Sequence, residues 1–108
     1  MPFKTKKTLT RKVEACKVKR FSIDTHLYDE WVYMNCIVWF HVDNKRVILE
    51  TIEKTANDGQ LNYLLKAAIK YYANIDFGLV IKQRHFDQIR ALYDSNYFKS
   101  HIIFDSTL

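Results

Sequence analysis

Residues 61–75 read LNYLLKAAIKYYANI and are apolar at nearly every position. The exceptions, Asn62, Lys66, Lys70 and Asn74, recur every fourth residue. On a helix of about 3.6 residues per turn this spacing draws one narrow polar stripe along an otherwise apolar cylinder. A surface helix keeps a polar half, so a helix with only a polar seam must be covered on several sides. The stretch is expected to be the central helix of the domain, with the other elements wrapped around it. Its start is set by residues 53–60, EKTANDGQ, in which Asn57 or Asp58 supplies the N-cap. Its stop lies in residues 74–78, NIDFG, where Gly78 accepts positive φ.

Working back from this helix, residues 31–42, WVYMNCIVWFHV, carry the strongest strand pattern in the chain. The even positions, Val32, Met34, Cys36, Val38, Phe40 and Val42, are all apolar and are assigned to the core face. The odd positions, Trp31, Tyr33, Asn35, Ile37, Trp39 and His41, form an aromatic, half-polar second face. Asp43-Asn44 reads as a two-residue turn, and residues 45–52, KRVILETI, as the returning strand. Phe40 is then opposite Val47 and Val38 opposite Leu49, with Arg46, Ile48 and Glu50 joining the aromatic face. Residues 24–30, DTHLYDE, read as a polar connector. Residues 12–23, KVEACKVKRFSI, read as a strand whose parity breaks imply a bulge near residues 15–18.

Working forward, residues 79–82 form a short apolar run that suits a strand. From Gln83 the period turns helical, with Phe86, Ile89, Leu92 and Tyr93 on one face. Residues 101–105, HIIFD, close the chain as a last strand, and the strands before and after this second helix are expected to pair in parallel at a sheet edge. The order is β-β-β-α-(β)-α-β. The expected fold is α+β, an N-terminal antiparallel three-stranded sheet packed against a central buried helix and a second amphipathic helix. Residues 1–10 are expected to be a flexible basic arm and residues 11–108 a single domain, since 108 residues are too few for two cores.

The net charge of +5 is unevenly placed. Residues 1–20 hold eight basic side chains, Lys4, Lys6, Lys7, Arg11, Lys12, Lys17, Lys19 and Arg20, against Glu14 alone, for +7. The other 88 residues hold nine basic and eleven acidic side chains, for −2. A clustered positive segment attracts nucleic acid, anionic lipid or an acidic protein surface, although many basic tails are simply solvated. Two cysteines, Cys16 and Cys36, without a CxxC, make no cysteine zinc site and suit a reducing, cytoplasmic setting. The opening MPFKTKKTLTRK has no apolar core of a signal peptide, and no window approaches the ~18 apolar residues of a membrane span, so no membrane association is expected.

Catalytic patterns are sparse. Two isolated glycines, Gly59 and Gly78, exclude phosphate-binding glycine loops, and no HExxH or Gly-x-Ser-x-Gly occurs. No Glu-x-Lys accompanies Glu50, Glu53 and Lys54, as a paired-carboxylate nuclease would need. Cys36 on the core face is too buried for a thiolate nucleophile. His26, His41, His85 and His101 fall in four separate elements. Tyr63-Leu64-Leu65-Lys66 with His41-Val42-Asp43 resembles the Tyr-x-x-Lys and sheet-histidine arrangement of HUH replication-initiator nickases, but Asp43 stands where the second metal histidine belongs. No motif is specific enough to name a family. No enzyme activity, cofactor or metal is expected.

What remains is a binding surface. Trp31, Tyr33, Trp39, His41 and Arg46 are assigned to one sheet face, bordered by Lys17, Lys19 and Arg20. Exposed aromatics beside cations stack bases and hold phosphates. The leading expectation is a binding protein for nucleic acid or a nucleoprotein, using this face and the basic segment. The alternative is a small phage or mobile-element interaction module, an inhibitor or adaptor. Burial of the aromatic face in a core or a homodimer competes with both.

Overall fold

A computed structural model of the chain describes residues 15–43, 45–74, 79–93 and 96–105. It is an α+β fold built on one six-stranded mixed sheet. The strands are β1 (Lys17–Ile23), β2 (His26–Tyr33), β3 (Cys36–Val42), β4 (Val47–Lys54), β5 (Leu79–Lys82) and β6 (Ile102–Asp105). The helices are α1 (Asp58–Tyr71), α2 (Phe86–Tyr93) after a 3-10 turn (Gln83–His85), and the short α3 (Asn96–Lys99). Strand order in the sheet is sequence order. β1 to β4 form an antiparallel meander, and β5 and β6 add in parallel through the helical crossovers.

The meander has four strands where the sequence reading expected three. Residues 24–30, read as a connector, supply a two-residue turn and most of β2. Ile23 pairs with His26, and Asp24 and Thr25 between them both take positive φ, 49° and 68°. That is the type I′ pattern, whose twist matches the flanking strands. The stretch 31–42, read as one strand, is two. Tyr33 pairs with Cys36 around Met34, which takes φ 52°. Positive φ at the first of two turn residues is the type II′ pattern, which normally asks for glycine. The third hairpin is longer than expected. Val42 pairs with Val47 and Phe40 with Leu49, so four residues, not two, make the turn. Asp43 Oδ1 accepts the Lys45 and Arg46 backbone N–H groups there, both at 2.8 Å. Those bonds hold the Asp43 carboxyl below its ordinary value. The shift is two residues, so Val47 and Leu49 keep the core-facing parity assigned from sequence.

β1 pairs with β2 without a register shift from Lys17 to Ile23, so no bulge is present there; residues 12–14 lie outside the described residues. The irregularity is in β4, where Glu50 and Glu53 are extra residues against β3.

α1 begins at Asn57, whose side chain accepts the Gln60 N–H at 2.9 Å, and buries Leu61, Leu64, Leu65, Ala67, Ala68 and Tyr71. It packs on the sheet face carrying Trp31 and Phe40, with Tyr71 5.1 Å from the Trp31 ring and Tyr72 5.8 Å from Phe40. Parallel crossovers are right-handed, so successive crossovers in one direction lay their helices on the same face. Phe86 of α2 meets Phe104 of β6, and Lys66 of α1 lies over Phe98 of α3, on that same side. The core is therefore one layer, from Cys16 and Trp31 through Phe40, Leu49 and Ile81 to Ile89, Phe98 and Ile102. α1 ends at Tyr71 with Tyr72 as its C-cap, short of the stop expected in residues 74–78, while Gly78 and the expected arm at residues 1–10 lie outside the described residues. No described helix is long and apolar enough to cross a membrane.

Candidate functional site

The face of the sheet opposite α1 is set by cross-strand register. One row runs Phe21, Tyr28, His41, Ile48, Val80 and Ile103 across all six strands. Its β1–β3 end is aromatic and its β4–β6 end aliphatic. Trp39 and His26 extend the aromatic end into a cluster of five rings. Phe21 lies 4.8 Å from Trp39, edge to face, and 6.1 Å from Tyr28. Tyr28 lies 5.4 Å from His41 and 6.4 Å from Trp39, and His26 lies 5.3 Å from His41. Phe21, Tyr28, Trp39 and His41 are half-buried and His26 is exposed. Edge-to-face and tilted contacts of this kind hold the rings to one another through their quadrupoles.

Charge borders the rings. Lys17 and Lys19 share the parity of Phe21 on β1 and are exposed. Glu30, partner of both Lys19 and Trp39 in the ladder, accepts the Trp39 indole N–H at 3.1 Å. On β4 the bulged Glu50 is held by Lys82 Nζ at 3.0 and 2.9 Å and by Arg84 Nη2 at 3.3 Å. Its carbonyl sits past the last β4–β5 register pair, Leu49 with Ile81, and binds the Arg84 and His85 side chains at 2.8 and 3.0 Å. Burial pushes the Glu50 carboxyl up, but Lys82, Arg84 and His41 outweigh it and hold the group below its ordinary value.

The sequence-derived site residues divide by this geometry. Lys17, Lys19, Trp39 and His41 lie on the face opposite α1. Trp31 and Tyr33 do not. Trp31 is fully buried on the core face, its indole donating to the Tyr72 hydroxyl at 2.8 Å, and Tyr33 stacks 4.3 Å from Tyr63 of α1. The cause is the hairpin at Met34: once the chain reverses, Trp31 pairs with Val38 instead of opposing it through the sheet. Arg20 also turns to the core face, where its Nε and Nη2 donate to the buried Asp29 at 2.8 and 3.0 Å. Arg46 is exposed in the β3–β4 turn, and His41 pairs with Ile48 rather than lying beside it. Lys4, Lys6, Lys7, Arg11 and Lys12 lie outside the described residues.

Phe21, Tyr28, His26 and Glu30 were absent from the sequence-derived site. The signal that would have found them was the period-2 pattern Tyr28, Glu30, Val32 beginning after a turn at Asp24-Thr25. The polar character of DTHLYDE hid it. Asp29 in particular reads as surface, yet it is buried and satisfied, with the Tyr72 hydroxyl donating to it at 2.6 Å. Burial, with Asp29 adding to it, drives the Tyr72 hydroxyl well above its ordinary value, so it stays a proton donor.

Tyr63 and His41, the halves of the nickase-like arrangement, lie on opposite faces with the sheet between them. Cys16 and Cys36 are buried thiols. Burial, and then the neighbouring Cys36, pushes Cys16 up to about 11. Among the described residues, no group of three or more His, Cys, Asp or Glu is placed to hold a metal ion. Comparison of the chain with protein-family models, curated proteins and solved structures finds no match to any of them.

Proposed function

We propose that this protein binds single-stranded nucleic acid, with bases stacking on the β1–β3 end of the sheet face opposite α1 and phosphates meeting the basic N-terminal segment. One observation carries this reading. Phe21, Tyr28, Trp39, His26 and His41 contact one another on the face opposite α1, with His26 exposed and the other four rings half-buried. Flat rings with partial exposure suit unstacked bases, whose π-faces are hidden inside a duplex. Lys17 and Lys19 continue on the same face toward residues 1–14, which hold five more cations, Lys4, Lys6, Lys7, Arg11 and Lys12. Cations at the border and rings at the centre match a ligand with charge along its backbone and apolar faces on its bases.

The test is fluorescence anisotropy of a labelled thymine oligonucleotide and of a duplex of equal length, over a range of salt. The single strand should bind, its affinity falling steeply with salt as condensed counterions are released. Absence of binding at low salt removes the proposal. Equal affinity for the duplex would mean that the basic segment binds alone and the rings do not take part.

A further inference from the structure

We infer that Glu30 makes this face selective for guanine. The inference rests on the single-strand reading and adds a base identity to it. Two carboxylates, Glu30 of β2 and Glu50 of β4, flank β3, and they differ. Glu50 is closed: Lys82 contacts both of its oxygens and Arg84 one. Glu30 receives the Trp39 indole N–H on Oε2. A carboxylate offers about four acceptor sites, so one indole leaves most of them for a ligand. The indole also fixes the group at the border of the stacking surface, in ladder register with Trp39 and with Lys19.

A fixed carboxylate repels phosphate and can only accept hydrogen bonds. It therefore favours a base edge that presents donors. Guanine presents N1–H and N2–H side by side, matching two carboxylate oxygens. Adenine and cytosine each place an amino donor next to a ring-nitrogen acceptor, which would face the carboxylate at a cost. Thymine and uracil place one N–H between two carbonyls. A base stacked on Trp39 with its Watson–Crick edge toward β2 is thus held best when it is guanine. Two aligned charge-assisted bonds add specificity as well as affinity.

The experiment uses the full chain and thymine oligonucleotides carrying guanine, inosine, adenine or thymine at one central position. Inosine keeps N1–H and lacks the 2-amino group. The parent protein should prefer the guanine oligonucleotide over the all-thymine one by roughly tenfold, the scale of one good bidentate pair, with inosine between them. Glu30→Gln keeps an acceptor for the Trp39 indole but has one oxygen in place of two. In that variant the guanine preference should collapse, while affinity for the all-thymine strand rises because a negative charge has left the site. A parent without guanine preference, or a preference that survives Glu30→Gln, overturns the inference and leaves single-strand binding standing. Absence of binding to every oligonucleotide overturns both.

Discussion

Trp31 and Trp39 sit on neighbouring strands of one sheet and do opposite things. Trp31 is fully buried, ringed by Phe40, Tyr71 and Tyr72, and its N–H feeds a chain of polar groups, Tyr72 to Asp29 to Arg20, inside the core. Trp39 is half-buried among Phe21, Tyr28 and Glu30 on the other face. Both indoles are satisfied, so hydrogen bonding does not tell the fully buried tryptophan from the half-buried one. What does is which side the helices cover. One face of this sheet carries the core, and the aromatic end of the other is half-buried and is the surface proposed above for binding.

The largest test of that division is Trp31→Ala. Removing a buried tryptophan costs roughly 3–5 kcal/mol, and here Tyr72 also loses the donor to its hydroxyl. A urea titration should show the midpoint falling by a large share of the whole stability. A shift no larger than that of Trp39→Ala would erase the distinction between the faces.

Next is the buried ion pair. Asp29→Asn should cost about 2–3 kcal/mol, because Arg20 and Tyr72 both lose a charged acceptor. Replacing the pair together, Arg20→Met with Asp29→Leu, should recover part of the loss, since an apolar pair avoids the desolvation of two charges. Thermal melting of the two variants side by side checks this. Equal losses would mean the pair contributes more than its replacement by packing can.

A smaller effect sits at the turn that sends the two tryptophans to opposite faces. Met34 holds φ 52° without being glycine, a conformation that costs an L-residue about 1–2 kcal/mol. Met34→Gly should raise stability by about 0.5–1 kcal/mol after the greater freedom of glycine in the unfolded chain is counted. Met34→Val, β-branched at the same position, should lower it. If both variants melt alike, the turn is not under the strain described.

The smallest expected effect is on pH dependence. On the β4–β5 half of the face opposite α1, Glu50 is held by Lys82 and Arg84, and its carboxyl lies below the ordinary value of 4.5. The folded protein therefore holds that proton less tightly than the unfolded chain. The stabilisation is fully present above pH 4.5 and is lost as pH falls through the lower folded value. Glu50→Gln should flatten the acid limb of a stability–pH profile below pH 4.5. An unchanged limb would show that the ion pairs contribute nothing to folding.

Much of this fold was legible in the chain. The apolar run 61–75 supplies most of α1 (Asp58–Tyr71) and all of its buried side chains, the parity of Val38, Phe40, Val47 and Leu49 placed the core face, and β5 and β6 pair in parallel. The hairpins at 24–25 and 34–35 were not legible, for one physical reason. Neither contains glycine, and positive φ is carried by Asp24, Thr25 and Met34. Methionine is no turn signal, so the alternation ran on through it and put Trp31 on the wrong face. A two-residue turn reverses the chain and matches odd positions to even ones, which is why Trp31 lies beside Val38. The candidate site was half visible for the same reason. Trp39 and His41 stood on a strand already recognised, while Tyr28, His26 and Glu30 stood on one mistaken for a connector.

The division between the two faces is tested most directly by Trp39→Ala, melted and titrated with a labelled single strand in the same preparation. Its melting transition should stay cooperative and shift far less than that of Trp31→Ala. Its affinity should fall by about 5- to 150-fold, the ~1–3 kcal/mol of one stacked base. A collapsed transition would make Trp39 a second core residue. An intact transition with unchanged affinity would mean that the ring cluster takes no part in binding.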